Sequence, residues 1–234
     1  MFVGNTIRGA LGRSLYVSHH EAYKALRVDE AESAPNPYAI SAPYPSRGEY
    51  RAGETLVFYV TIFGTACGLE QYVIDAAQDM CEGKLESCRL ANVEQMYSRE
   101  WSDAGAQTIP HCDTLTVDFL TPAEIFVQKK LATQIDFALL VDRLFGRIGS
   151  IIDLYGESEF VVPYRLVAQK PFVQAEYDLR TVAFKTNEQP VSGVLGRVRY
   201  SGNVTRYLPY IDLGSQIHIG RKTTRGCGEY SFEI

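Results

Sequence analysis

A glycine-rich segment near the C-terminus constrains the fold of this chain more than any other stretch. It begins and ends on glycine and encloses three cations and two hydroxyl side chains: Gly220, Arg221, Lys222, Thr223, Thr224, Arg225, Gly226, Cys227 and Gly228. Glycine adopts backbone conformations that other residues disfavour, so we expect a sharply turning loop here. Apolar residues alternate before it (Ile217, Ile219) and after it (Tyr230, Phe232), which predicts a strand on each side.

The composition of this loop favours a phosphate ligand. Backbone N–H groups at glycine hinges, placed beside cations and hydroxyls, form a polar surface that suits phosphate oxygens. A solvated, charged hairpin turn has the same composition. The loop alone therefore leaves both interpretations open.

Charge is distributed unevenly along the 234 residues, which carry a formal net charge of −5. Residues 193–225 contain six basic side chains and one acidic one, and residues 8–27 contain four and one. A general polyanion-coating protein is excluded, and any nucleic-acid site must be a local patch. The 46% hydrophobic and 22% charged content is typical of one large globular domain or two small ones.

The cysteines and the hydropathy pattern indicate the cellular environment that we expect for this protein. Five cysteines without a CxxC spacing favour neither a disulfide framework nor a zinc site, and we expect a reducing, cytoplasmic environment. No apolar run approaches the length of a membrane span, and the N-terminus does not read as a signal peptide. We therefore expect no membrane partner and no bound metal.

The remaining pattern predicts an α+β fold. Strands are predicted at 56–63, 87–97, 115–122, 179–184 and 194–200, and helices at 4–16, 18–27, 69–80, 136–154 and 205–213. Residues 29–48 are rich in proline and predict an irregular connection, and residues 102–113 predict a linker. We expect two tandem ferredoxin-like (RRM-like) units, residues 1–108 and 113–234.

Four stretches in this order resemble the RAMP (repeat-associated mysterious protein) superfamily, and in particular the CRISPR-associated endoribonucleases that cut precursor CRISPR RNA. They are Gly-Asn-Thr-Ile-Arg-Gly-Ala-Leu-Gly at 4–12, the extended entry and strand at 45–64, Phe-Leu-Thr-Pro at 119–122 with the helix that follows, and Gly-Val-Leu-Gly at 193–196 leading to the glycine-rich loop. The family usually has a strand before the first motif. The N-terminal unit therefore either lacks its first strand or the chain starts further upstream.

The resemblance implies an endoribonuclease that binds CRISPR repeat RNA and needs neither a metal nor another cofactor. In such enzymes the ribose 2′-OH attacks the adjacent phosphate and leaves a 2′,3′-cyclic phosphate and a 5′-OH. This reaction requires a base, an acid and cations near the phosphorane. The resemblance also allows a non-catalytic subunit that holds mature CRISPR RNA in an effector complex, with other subunits of that complex as partners.

The family often places its catalytic histidine just after the first helix, where this chain has His19 and His20. On a helix from residue 18, His20 and Lys24 are i, i+4 neighbours on one face. We predict His20 or His19 as general acid or base, since a histidine titrates near neutrality. Lys24 would stabilise the developing charge, and Tyr16 completes the predicted catalytic set. Alternatively, the two histidines merely lie at a helix N-terminus.

The predicted RNA-binding residues come from three places. They are the loop residues Gly220, Arg221, Lys222, Thr223, Thr224, Arg225, Gly226 and Gly228, the strand residues Arg197 and Arg199, and the N-terminal residues Arg8 and Arg13. Arg197 and Arg199 alternate with Val198, so they project to one face of their strand. His218 is an alternative acid or base near the loop. Asp75 and Asp79 are predicted to lie on a solvated helix face.

Overall fold

The computed structural model describes residues 3–27, 34–44, 50–51, 53–82, 88–89, 91–94, 111–157, 162–169, 172–185 and 190–234. Most of the predicted linker, together with residues 87, 90 and 95–97 of the predicted strand 87–97, lies outside these residues. In the described part, no helix has the length and apolar character needed to cross a membrane. All five cysteines are described, and none forms a disulfide.

The N-terminal half contains three helices and a two-stranded hairpin. Its elements are α1 (Val3–Ser18), α2 (His20–Leu26), β1 (Tyr38–Ser41), β2 (Tyr59–Ile62), a 3-10 turn (Gly64–Leu69) and α3 (Glu70–Glu82). β1 and β2 pair antiparallel. Leu11 and Leu15 of α1 pack with Val73 and Ala76 of α3, because their spacing places them on one helix face. Ile7, one turn before Leu11, is buried as well, so apolar residues four apart form a buried stripe along α1.

Three predictions for this half are wrong. β1 lies inside the segment 29–48, where prolines flank the strand at Pro37 and Pro43 instead of interrupting it. Ser18 ends α1 and does not begin the next helix, and its Oγ donates to Asp79 Oδ2 at 2.7 Å. Residues 88, 89 and 91–94 are not in a strand. The apolar residues there recur every third position, which does not fit the two-residue period of a strand.

The C-terminal half is built around a four-stranded antiparallel sheet. Its elements are β3 (Thr114–Ala123), β4 (Phe126–Val127), β5 (Lys130–Leu131), α4 (Phe137–Tyr155), α5 (Arg165–Ala168), β6 (Gln174–Phe184), β7 (Val191–Ser201), α6 (Leu208–Ile217) and β8 (Tyr230–Glu233). The strand order is β6-β7-β3-β8. This order, with α4 and α6 as crossovers, is ferredoxin-like. β4 and β5 form a separate small hairpin.

Apolar side chains from both crossover helices and one face of the sheet form the core. Leu140 and Leu144 of α4, Ile211 of α6, and Val117 and Val198 of the sheet are at most 1% exposed. Asp136 caps α4, and its Oδ1 accepts from the Leu139 N–H at 2.7 Å. On the opposite face of the sheet, Arg197 and Arg199 of β7 are exposed, whereas Leu195 is buried.

The prediction that a strand enters the glycine-rich loop is wrong. α6 continues to Ile217, and the chain reverses at His218, whose φ of 62° lies in the left-handed region. Ile217 and Ile219 are both buried, but as a helix end and a loop residue, so their alternation does not reflect a strand. The predicted strand after the loop is confirmed as β8.

Candidate functional site

The glycine-rich loop is packed between the two halves of the molecule and does not project into solvent. Thr223 and Thr224 are each 6% exposed, and Arg225 is 5% exposed. A Cβ at Gly4, in the first turn of α1, would overlap the carbonyl oxygen of Arg225. Glycine therefore permits α1 to approach the loop backbone closely. Gly226 and Gly228 are buried as well.

The three cations of the loop have different surroundings. Lys222 Nζ lies 2.7 Å from Glu124 Oε1 and donates to the carbonyl oxygen of Pro190 at 2.6 Å. The side chains of this ion pair are only 14% and 2% exposed. Arg225 is buried, whereas Arg221 is exposed, with its guanidinium 5.6 Å from the centre of the Phe126 ring. Arg221 is therefore the loop cation best placed to meet a ligand.

His218 is buried and holds two elements together. Its Nδ1 lies 3.2 Å from the carbonyl oxygen of Cys227, and its Nε2 lies 3.0 Å from Ser41 Oγ in β1. Because a carbonyl only accepts, Nδ1 carries the proton, and in the neutral ring Nε2 accepts from the Ser41 hydroxyl. Burial lowers the pKa of His218 to about 4, with a smaller effect from nearby Arg147. At 1% exposure, His218 is poorly placed to act on RNA.

A buried guanidinium also supports the loop. Arg147 of α4 donates from Nε and Nη2 to the carbonyl oxygen of Ile217, at 2.9 and 2.8 Å, and from Nη2 to Thr223 Oγ1 at 2.9 Å. It thus satisfies the last carbonyl of α6, which has no partner within the helix. Burial lowers the pKa of Arg147 to about 10, so it stays charged at neutral pH.

A series of contacts runs from the loop to α2. The Tyr38 hydroxyl in β1 is hydrogen-bonded by Arg8 and Thr224, and Arg27 lies close enough to act on it electrostatically. Burial raises the pKa of Tyr38, so it is a neutral phenol at physiological pH. The Arg27 guanidinium lies 5.4 Å from the Tyr23 ring centre and donates to the Tyr23 hydroxyl. Two arginines thus follow one another between the loop and α2.

The two candidate histidines face different neighbours. His20 is exposed, and its ring centre lies 4.8 Å from that of Tyr16 and 6.3 Å from that of Tyr23. His19 is turned towards α3, where its Nε2 lies 3.8 Å from Asp75 Oδ2, and its side chain is 22% exposed. His20 therefore adjoins the contact series that leads to the loop, and His19 does not.

The aspartates of α3 are not simply solvated, contrary to expectation. Asp75 lies near His19, and Asp79 accepts a hydrogen bond from Ser18, because α1 and α2 cover part of that helix face. Among the residues that the structure describes, no three His, Cys, Asp or Glu side chains are grouped as metal ligands.

The remaining predicted residues are exposed and have polar neighbours. Lys24 Nζ lies 3.0 Å from Glu21 Oε1, an exposed pair that is worth little. Arg13 and Tyr16 are exposed on α1. Tyr16 contacts His20 edge to face, whereas Lys24 donates to Glu21.

Arg197 and Arg199 project from β7 to the solvent face of the sheet, as their spacing predicts, but acids surround them. Arg197 binds both carboxylate oxygens of Asp118, at 2.8 and 2.9 Å. The strand register places Asp178 opposite Arg197 and Glu176 opposite Arg199. The charge of Arg197 is therefore largely balanced within the sheet, while Arg199 lies opposite Glu176. Contact of both arginines with RNA stays a prediction.

Sequence reasoning missed Tyr38, Ser41, Glu124 and Arg147, each of which holds the loop or extends its contacts. For Arg147 a signal exists, because a cation at the edge of the apolar stripe of α4 must find a polar partner when it is partly buried. The others make contacts that only the folded chain creates, and no local pattern marks them.

The ferredoxin-like unit carries a glycine-rich loop just before its last strand, which is the arrangement that the resemblance to the RAMP superfamily predicts. Residues 117–230 match the family model of the CRISPR-associated endoribonuclease Cas6. Residues 14–113 match a second model, described as an N-terminal domain. The family resemblance noted in the sequence is confirmed.

Solved structures show the same fold over the whole chain. A Cas6 product complex is 16% identical with a TM-score of 0.68, covering 100% of this chain and 94% of that one. Thermus thermophilus Cas6 is 13% identical with a TM-score of 0.62, covering 100% and 92%. A RAMP protein that binds different RNA substrates is 14% identical with a TM-score of 0.53, covering 100% and 92%. The expected α+β fold class is confirmed. No curated protein matches the chain.

Proposed function

We propose that this chain binds CRISPR repeat RNA and cleaves precursor CRISPR RNA into mature CRISPR RNA, with His20 as the acid–base residue. One observation carries the assignment to His20: its ring lies beside Tyr16 and Tyr23, and Tyr23 is bound by Arg27, a cation that also acts electrostatically on Tyr38 beside the loop. The match of residues 117–230 to the Cas6 family model supports the activity. The similar RAMP protein that binds RNA substrates supports the ligand.

The proposed reaction needs no metal. The 2′-oxygen forms a bond to the adjacent phosphorus, the bond from phosphorus to the 5′-oxygen breaks, and a 2′,3′-cyclic phosphate and a 5′-hydroxyl result. His20 either takes the proton of the 2′-hydroxyl while water protonates the leaving 5′-oxygen, or protonates the 5′-oxygen while water takes the 2′-hydroxyl proton. Tyr16, edge-on to the imidazole, limits the orientations of the ring.

Cations near His20 would stabilise the phosphorane. Arg27 lies over Tyr23, next to the histidine, and Lys24 lies one helical turn after His20. Lys24 exchanges its exposed contact with Glu21 for one with phosphate at little cost, because exposed ion pairs contribute little. Arg8 hydrogen-bonds the Tyr38 hydroxyl, on which Arg27 acts only electrostatically, and it extends the cationic path towards the loop.

In this proposal the loop binds RNA at its first residues. Arg221 supplies the exposed cation, while the buried segment from Thr223 to Arg225 joins the loop to both halves. The protein acts in the reducing cytoplasm, where its five thiols remain reduced. Other subunits of a CRISPR complex are further partners in this proposal.

The test is cleavage of a synthetic CRISPR repeat RNA in the presence of EDTA, with the product ends analysed chemically. We expect one cut with a cyclic-phosphate end. His20→Ala should slow cleavage by about 10²-fold or more with nearly unchanged RNA affinity. His19→Ala is the matched control and should retain most of the activity. Tight binding without cleavage by the parent protein would instead identify a non-catalytic subunit, and normal cleavage by His20→Ala would refute the assignment of the residue.

A further inference from the structure

A second basic surface adjoins the first residues of the glycine-rich loop. The β4–β5 hairpin, residues 126–131, carries Lys129 and Lys130, which are both exposed. Arg221 lies over the Phe126 ring at 5.6 Å, and Arg143 of α4 donates to the Phe126 carbonyl oxygen at 2.9 Å. We call Lys129, Lys130, Arg143 and Arg221 the hairpin surface.

The hairpin and the loop are joined through their backbones. The Arg221 N–H donates to the carbonyl oxygen of Glu124 at 3.0 Å, and these two residues form an isolated β-bridge. On the other side of the hairpin, the Ala132 N–H donates to the carbonyl oxygen of Ile125 at 2.8 Å. Cations on the hairpin therefore keep a fixed position relative to Arg221, which preorganises them for a common ligand.

The turn of the hairpin has an unusual sequence for its conformation. Its central residues, Gln128 and Lys129, have φ of 50° and 66°. Two-residue hairpins with positive φ at both positions strongly prefer Asn-Gly or Gly-Gly, because a side chain is disfavoured there. Strained backbone of this kind is concentrated at functional sites. A lysine in place of glycine thus points to a role for its ammonium group.

The charge of the hairpin surface is largely uncompensated. The carboxylate of Asp142 lies 3.7 Å from Arg143 Nε, and both side chains are exposed, so this contact neutralises little. Glu124, at the base of the hairpin, is 1% exposed and is bound by Lys222. The surface therefore presents positive charge to solvent directly beside the loop.

We propose that the hairpin surface binds backbone phosphates of the same RNA strand that occupies the glycine-rich loop. This inference rests on the proposed function for the identity of the ligand. Its observations are independent of the histidines: the fixed connection between hairpin and loop, the strained lysine, and the excess of exposed cations. In this proposal the RNA strand continues from the loop across the side that the Arg221 side chain faces.

The test compares Lys129→Gly with Gln128→Gly. Both variants relieve the positive-φ strain, so both should raise the melting temperature or leave it unchanged. Only Lys129→Gly removes a cation, and it should lower the magnitude of the slope of log affinity against log salt by about 0.7 for one phosphate contact. Lys129→Gly combined with Lys130→Ala should lower it by about 1.4 for two contacts.

Binding is measured with a repeat RNA that carries a 2′-deoxyribose at the cleavage position, so that cleavage does not affect the result. Arg165→Ala combined with Lys185→Ala removes two exposed cations elsewhere and should leave the slope unchanged. An unchanged slope and affinity in the Lys129–Lys130 double variant would overturn this inference. Failure of the parent protein to bind the repeat RNA would instead overturn the proposed function.

Discussion

The glycine-rich loop and the corner between α1 and α2 both carry cations and hydrogen-bonding side chains, but they differ in exposure. In the loop, Thr224 and Arg225 are 6% and 5% exposed, whereas Tyr16 at the corner is 54% exposed and His20 is exposed beside it. Polar groups of the first region are used mainly in holding the fold together. Those of the second region remain accessible to a substrate.

Within the loop the same distinction separates two adjacent cations. Lys222 binds the buried carboxylate of Glu124, whereas Arg221 rests on an aromatic ring and faces solvent. Residue type and position in a motif therefore do not determine whether a cation binds a ligand. The partners of a cation and its burial determine whether it binds a ligand. Variants of Lys222 and Arg221 can measure this difference.

The largest expected effect comes from breaking the buried ion pair. Lys222→Met leaves Glu124 buried without its cation, which should lower the free energy of unfolding by about 3–5 kcal/mol. Denaturant unfolding measures the change. Combining Lys222→Met with Glu124→Gln removes both charges and should recover much of the loss.

Arg221→Ala is the matched control for this comparison. It removes an exposed cation, so unfolding should change by less than about 0.5 kcal/mol. The salt dependence of RNA affinity should fall instead. If Lys222→Met leaves stability intact and flattens the salt dependence, Lys222 contacts RNA and the distinction between the two cations is wrong.

Protonation of His218 should produce the next largest effect. Its pKa is about 4 in the folded protein and about 6.5 in the unfolded chain, so the unfolded state binds more protons between these values. Stability should therefore fall as pH decreases through this window, by about 2 kcal/mol between pH 7 and pH 5. Unfolding measured across this range should show the loss.

His218→Asn serves as the comparison variant, because it removes the titrating group. Its stability should change less with pH over the same window, even if it is lower at pH 7. Equal pH dependence of the two proteins would mean that His218 is not buried as a neutral ring.

Gly4→Ala, which adds a methyl group to α1, should lower the free energy of unfolding by about 1–3 kcal/mol. The size of this loss depends on how far the loop can shift. Gly4→Ala places a Cβ against the Arg225 carbonyl, and overpacking of this kind destabilises a core by that amount. Gly12→Ala is the control on the same helix, because its Cβ would lie 3.9 Å from Tyr23, an ordinary contact. It should be neutral or stabilising by up to about 1 kcal/mol. Thermal unfolding of both variants gives the comparison, and equal stability would contradict the close packing of α1 on the loop.

Local sequence patterns predicted individual helices and strands whose residues show a clear apolar period. The apolar period predicted α4, and the alternation of Tyr230 and Phe232 predicted β8. The glycine-rich loop was located correctly, but its burial was not predicted. That burial depends on Gly4 and Ser41, which lie roughly 180 residues or more away in sequence. Single-sequence patterns carry no information about such contacts.

At the candidate site, the position of His19 and His20 came from the family resemblance. Spacing alone could not separate them. The side chains of adjacent residues point in different directions, and what each one contacts depends on the helices that pack beside it. Asp75 approaches one histidine and Tyr16 the other, and these neighbours belong to different helices. The division of roles between the histidines is thus a property of tertiary packing.

The close contact between Gly4 and Arg225 also determines what can be transplanted between relatives. The glycine-rich loop is not an independent structural unit, because its backbone packs closely against the first turn of a helix at the opposite end of the chain. A chimaera that exchanges the loop alone would meet a surface fitted to a different partner. The first turn of α1 and the loop therefore constitute one exchangeable unit, although more than 200 residues separate them along the chain.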